Sequence, residues 1–328
     1  MFAYTARRVA LLVPLLFGII LVVFALVHLI PGDPAAVLLG QDATPEAVAD
    51  LQRELGLDRP LPIQFMVYLG DVLRGNLGQS IFRGEPVLAA IGSRLPATIE
   101  LAVIALAIAL GLGLGLGVLA AVRRGSPVDV FSMAFAQVGV SMPVFWLGIL
   151  LMFWFAVQLN WLPAVGRGDP LVTAVGAAIA GRPAGLADAL SHLALPSMAL
   201  GLGSAAVISR VVRSSMLDVL NQEYIRTANA KGLVPRRVVF THAVRNALLP
   251  AINIVGLRFG ALLGGAVLTE GIFGWPGLGQ LAVTAISQRD FPLVQGVVLV
   301  FALLFAVVNL TVDLVNAAVD PRIRVGTR

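Results

Sequence analysis

Residues 223–250 read EYIRTANAKGLVPRRVVFTHAVRNALLP, the longest polar, basic stretch in an otherwise apolar chain. Locally this is two short helices around a break. Asn221 is expected to cap the first, and Glu223 falls in its first turn, where the helix dipole favours an anion. Lys231 stands in the last turn and Gly232 follows as a stop. Pro235 opens the second helix, because the N–H it lacks has no partner at that position anyway. Ile225, Ala228 and Gly232 fall at i, i+3 and i+7, a narrow face of small or apolar groups. Such a face lets a helix press closely on another protein.

The surroundings of this stretch set the fold class. The chain has 328 residues, of which 58% are hydrophobic and only 12% charged, a balance that belongs in a membrane. The formal charge is +5, and 22 of the 23 cationic residues are Arg. They cluster between apolar runs, which points to membrane topology and away from nucleic acid. The absence of Cys removes disulfides, thiolate metal sites and a Cys nucleophile.

Six runs are long enough to span, given a need for about 20 apolar residues. They are Val9–Ile30, Leu101–Val122, Val130–Val157, Leu193–Ser209, Ala247–Leu268 and Leu293–Leu314. The first follows Arg7-Arg8 and reads as an uncleaved anchor. The fourth is short and can be extended by snorkelling of Arg210. With the N-terminus inside, the inner pieces 1–8, 123–129, 210–246 and 319–328 hold 14 Lys and Arg. The outer pieces 31–97, 159–192 and 271–292, though twice as long in total, hold 8. This bias places both termini in the cytoplasm.

Residues 31–97 form an external insert with 8 acidic residues against 5 Arg. IPGDP (Ile30–Pro34) ends the first span. A short helix is expected over Pro45–Leu55 with Thr44 as cap, then a turn at LGLDRPLP, then a helix over Ile63–Leu73. The second span carries Gly111, Gly113, Gly115 and Gly117, two interleaved GxxxG pairs that let helices approach closely. No strand surrounds them, so they are not a dinucleotide loop. The run Leu171–Ala180 is too short to cross and is placed outside or at the surface. The segment EGIFGWPGLG (Glu270–Gly279) reads as an external turn with a belt tryptophan.

Catalytic patterns are missing. The three His (28, 192 and 242) lie in different segments, with no H-E-x-x-H and no G-x-S-x-G. No metal ligand set is expected. The one Lys, Lys231, is not in a phosphate-binding G-x-x-x-x-G-K-[ST] loop, so ATP binding of that kind must reside on another subunit. Two charges fall within spans, Arg258 midway along the fifth and Asp313 near the end of the sixth. Either they pair, or Arg258 faces a water-filled path and meets a substrate carboxylate; both are candidates for a translocation path.

The run Arg226-Thr227-Ala228, with Gly232 four residues later and Leu249-Pro250 at the end, resembles the cytoplasmic "EAA" loop of ABC-importer permeases. That loop has Glu-Ala-Ala, three residues, Gly, then Leu-Pro. Here Arg226 stands where the Glu would be and Pro250 comes late, and both departures are similar to the B-type subunit of the peptide/nickel branch. LGLD-RP and GNLG-QS in the insert, TE-x-IF-x-WPGLG and Asp320-Pro321-Arg322-Ile323-Arg324 extend the resemblance over nearly the whole chain. A basic loop obeying the positive-inside rule gives the same local pattern at 223–250.

The resemblance implies an all-α integral membrane protein, a single six-span type I permease domain over 1–328. Residues 31–97 would be its external insert and residues 219–250 its cytoplasmic coupling loop. Glu223, Tyr224, Ile225, Arg226, Thr227, Ala228, Ala230 and Gly232 would couple to an ATPase. Glu270, Phe273 and Trp275 would dock a receptor or close the outer mouth. Implied partners are a homologous C-type permease subunit, two ABC ATPase subunits holding ATP and Mg, an external substrate-binding protein and the lipid of the inner membrane. The implied cargo is di- or oligopeptides, with glutathione or a nickel chelate as alternatives. An ion-coupled secondary transporter would instead show midplane carboxylates or broken helices. A membrane-embedded enzyme would need the missing catalytic set.

Overall fold

The computed structural model describes residues 2–29, 36, 39, 44–54 and 56–319. The expected break at Ile30–Pro34 and the tail motif at 320–324 lie outside them. The regular structure of the described residues is helical, and their one β pairing is the bridge Gln79–Pro86. In chain order the helices are α1 (Phe2–Leu29), α2 (Pro45–Glu54), α3 (Leu61–Leu73), α4 (Val87–Val122), α5 (Pro127–Ser141), α6 (Val144–Leu151), α7 (Leu171–Ile179), α8 (Ala184–Leu220), α9 (Glu223–Ala230), α10 (Pro235–Arg237), α11 (Val244–Ile272), α12 (Leu278–Gln288) and α13 (Phe291–Val319). Wide π-type turns extend α6 through Met152–Gln158 and join α10 to α11 through Val238–Ala243.

Four helices are long and apolar enough to cross a membrane, and two bent pairs bring the count to six. The third expected span is therefore not one rod. Its halves, Pro127–Ser141 and Val144–Gln158, meet at 109°. Pro143 has no N–H to continue the ladder and holds Met142 extended, at φ −80° and ψ 126°. The fourth span is longer than its apolar run, because α8 continues through Arg210 and Arg213 to Leu220.

The centre of the bundle is α4 against α8. Ala105 meets Gly201, Gly113 meets Ala205 and Ile208, and Gly117 meets Ser209 and Val212, so the two helices run parallel. A Cβ on Gly117 would lie 2.7 Å from the Ser209 carbonyl oxygen, and one on Gly113 2.8 Å from Ile208. Gly111 and Gly115 have nothing within 4 Å of a Cβ. Among the described residues, only one of the two GxxxG pairs thus meets another helix of this chain. The same device recurs where Gly139 on α5 meets Ala206, and where Gly256 and Gly260 on α11 meet Val312 and Phe305 on antiparallel α13. In lipid, close approach of this kind supplies the van der Waals contact that holds helices together.

The insert packs on α1. Phe65 of α3 meets Phe17 and Phe24 edge-on, at 5.7 and 5.4 Å. Tyr68 lies on Phe24, and burial pushes its phenol up to about 12. Thr44 accepts from Ala47 N–H at 3.3 Å and caps α2, as the sequence leads one to expect.

Candidate functional site: the two ends of the bundle and its middle

The stretch 223–250 sits at the end of the bundle where α4 and α8 finish. Asn221 does not cap α9. It still has helical geometry, closes α8 and donates from Nδ2 to the Leu217 carbonyl at 2.9 Å. Gln222 takes the capping position with extended backbone, and its side chain makes no capping bond to α9. Gly232 stops the helix at φ +74°, a conformation that residues with a Cβ rarely adopt.

The face of α9 expected to meet a partner is turned inward. Ile225 and Ala228 are buried, in one cluster with Met216 of α8 and with Val238 and Ala243 of the following turn. They bind α9 to its own bundle and are not free to touch another subunit. The outward face carries Glu223, Arg226, Thr227 and Ala230, with Lys231 and Gly232 after it. Tyr224 is half-exposed, and its hydroxyl accepts from Asn246 Nδ2 at 2.9 Å. Glu223 and Arg226 pair at 2.7 Å, but both are exposed, so that pair is weak and easily exchanged.

A second anchor at this end went unnoticed in the sequence. Asp129, in the first turn of α5, receives Nε and Nη2 of Arg213 on α8 at 2.6 and 2.8 Å, and Gly125 N–H at 2.9 Å. Two parallel bonds fix direction as well as distance. The signal available was Ser126-Pro127-x-Asp129, a helix start with an acid in its first turn.

At the opposite end, Glu270, Phe273 and Trp275 are each at most 1% exposed. Burial removes them from any receptor surface. They tie this end of the bundle together instead. Glu270 accepts from Thr98 Oγ at 2.6 Å and from Gln280 N–H at 3.0 Å. Thr98 Oγ in turn accepts from Leu278 N–H at 2.8 Å. Trp275 Nε1 donates to the Ala97 carbonyl at 2.9 Å. The Phe273 carbonyl accepts from Gly166 N–H at 2.8 Å, and Arg167 lies over the Trp275 ring while pairing with Glu100 of α4. The segment between Gly166 and α8 is held in this way, with α7 outside the bundle core. Asp290, also buried, caps α13 through Leu293 N–H and receives Ser80 Oγ from the insert.

The two charges within spans do not pair with each other. Asp313 instead binds Arg8 of α1 at 2.6 Å. Arg258 lines a cavity of about 210 Å³ between the break in the third span, α8 and α11. Among the described residues, no three His, Asp or Glu side chains gather to hold a metal.

Residues 113–325 match the family described as binding-protein-dependent transport system inner membrane component, and residues 1–102 match the N-terminal component of the same systems. The chain belongs to that family. Within it, the permease falls in the peptide/nickel branch of ABC importers. It is 45% identical over 332 residues to the dipeptide transport system permease protein DppB of Alkalihalophilus pseudofirmus, covering 99% of this chain and 100% of that one. The protein of that name in Escherichia coli K12 is 44% identical, with 99% of each chain covered. The glutathione transport system permease protein GsiC of Salmonella typhimurium is 41% identical, again with 99% of each covered. Among solved structures, a chain of the MetNI methionine ABC transporter in an inward-facing form superposes with a TM-score of 0.55 at 20% identity. It covers 72% of this chain and 99% of the MetNI chain, and supports the type I permease fold.

Proposed function

We propose that this permease is one half of the membrane channel of an ATP-driven importer of di- and oligopeptides. The observation that carries this is likeness from end to end, at 44–45% identity, to permeases named for dipeptide transport. Its partners in this reading are a homologous C-type permease subunit, two ABC ATPases that hold ATP and Mg, and an external substrate-binding protein. It lies in the inner membrane with both termini cytoplasmic. The insert and the 219–250 loop lie at opposite ends of the bundle, which fits that placement. Single Cys probes suit a chain with no Cys of its own. Glu46→Cys is expected to label only from outside and Asn229→Cys only from inside; the reverse pattern would overturn the orientation.

Transport proceeds by alternating access, and α9 is the element pressed by the ATPase. Its outward residues Glu223, Arg226, Thr227 and Ala230 meet the partner, with Tyr224 and Gly232 at the rim. Its buried Ile225 and Ala228 pass the push to α8 and α11. Arg226 in place of the family's Glu calls for an acidic or carbonyl-rich seat on the ATPase. Ala230→Trp is expected to leave the permease inserted and stable, while the ATPase detaches or hydrolyses ATP without uptake. Normal subunit stoichiometry together with normal uptake of a dipeptide would sink the coupling role. Glutathione as cargo is the alternative, at 41% identity to its named permease. Uptake of labelled dipeptide, competed with unlabelled dipeptide or glutathione, separates the two.

A further inference from the structure

We propose that Arg258 and Ser204 form a contact for the carboxylate of the cargo at the middle of the permease; this rests on the peptide-import reading above. Arg258 stands at the midpoint of α11. A charge at such depth is costly, and residues of this kind face a protein interior or a water-filled cavity. Arg258 faces a cavity of about 210 Å³ and is its one charged liner. Among the described residues it has no ion pair and no hydrogen bond, and the acid expected to neutralise it, Asp313, is held by Arg8.

Ser204 of α8 lines the same space and is 6% exposed. Two other serines of α8 turn their hydroxyls back on the helix: Ser197 donates to the Leu193 carbonyl, and Ser209 to that of Ala206 at 2.9 Å. Ser204 makes no such bond among the described residues. The cavity therefore presents one cation and one hydroxyl, in walls that are otherwise glycine or apolar, such as Gly139, Gly203, Val207 and Leu262. The break at Met142-Pro143 opens one wall, since both Met142 and Val144 line it. A guanidinium fork matches a carboxylate with two parallel hydrogen bonds, and a hydroxyl adds a third. Every free peptide carries a carboxylate at its C-terminus.

The test uses the complete importer in proteoliposomes, with the binding protein saturated by a free dipeptide. Arg258→Gln removes a charge from a span and is therefore expected to insert well. Its uptake per ATP hydrolysed should fall about tenfold, the size expected for a lost charged hydrogen bond. Arg258→Lys should recover part of the loss, and Ser204→Ala should cost about threefold. A second measurement omits the binding protein. At millimolar concentration a free dipeptide should raise the Tm of the solubilised wild-type complex more than its C-terminal amide does, and Arg258→Gln should erase that difference. Unchanged uptake by Arg258→Gln, or equal Tm shifts for acid and amide in the wild type, overturns the contact. Loss of the second permease subunit from the Arg258→Gln complex also overturns it, by assigning Arg258 to an ion pair between subunits. A wild-type complex that imports no peptide, with ATP hydrolysis intact, refutes the peptide-import reading itself and the contact with it.

Discussion

Trp275→Ala is expected to destabilise the permease by about 3–5 kcal/mol, the range for truncating a large buried aromatic. The ring is 1% exposed, its Nε1 donates to Ala97, its backbone N–H donates to the Glu270 carbonyl at 2.8 Å, and Arg167 covers its face. Removing it leaves a hole where α4, the loop before α7 and the turn before α12 meet. Trp275→Phe keeps most of the apolar area and loses one hydrogen bond, so it should cost about 1–2 kcal/mol. Thermal unfolding in detergent measures both. Basal and receptor-stimulated ATP hydrolysis should fall together, because the defect lies in the folded bundle. Selective loss of receptor stimulation with an unchanged Tm would show that the residue docks the receptor after all.

The second large effect is expected at Gly117. Gly117→Val places a Cβ against the Ser209 carbonyl and Val212, where backbone on one side and a β-branched side chain on the other leave little room to yield. Overpacking of this kind costs about 1–3 kcal/mol, and here the upper end applies because α4 and α8 must separate along their length. Two residues away, Gly115→Val meets open space within this chain and should change its stability by less than about 0.5 kcal/mol. The comparison needs only the yield and Tm of the two purified variants. Equal effects would show that the glycines act through helix propensity and not through contact.

Much of this architecture was legible in the sequence. The apolar runs marked every crossing segment, because lipid demands length and apolarity and little else. Lys231 and Gly232 marked the end of α9 and Pro235 the start of the next helix, because capping is local chemistry. Facing was another matter. The small, apolar face of α9 was visible, but periodicity does not say whether its neighbour is another subunit or the chain itself. Ile225 and Ala228 turned out to meet the chain itself. The same holds for the glycines: spans that are apolar all round give no sign of which side touches protein. Long-range pairs such as Arg8 with Asp313 and Arg213 with Asp129 depend on how helices are arranged, and no local pattern encodes that. The bend at Met142-Pro143 was within reach, since a proline inside an apolar run signals it.

The glycine contacts between α4 and α8 bear on how force travels. From Ser197 to Leu220, below Pro196, α8 is an unbroken rod of 24 residues, about 36 Å long. Along its middle it lies against glycines of α4, with the Ala205 and Ser209 carbonyls and the Ile208 and Val212 side chains set directly on Gly113 and Gly117. Contact this close over such a length makes α4 and α8 a single stiff pair. One end of the rod joins α9 through only Asn221 and Gln222, and the other leads toward the knot around Trp275. In the coupling proposed for α9, a push at that end would be carried by the pair as one body to the far end, so that events at the two mouths of the half-channel would be parts of one motion.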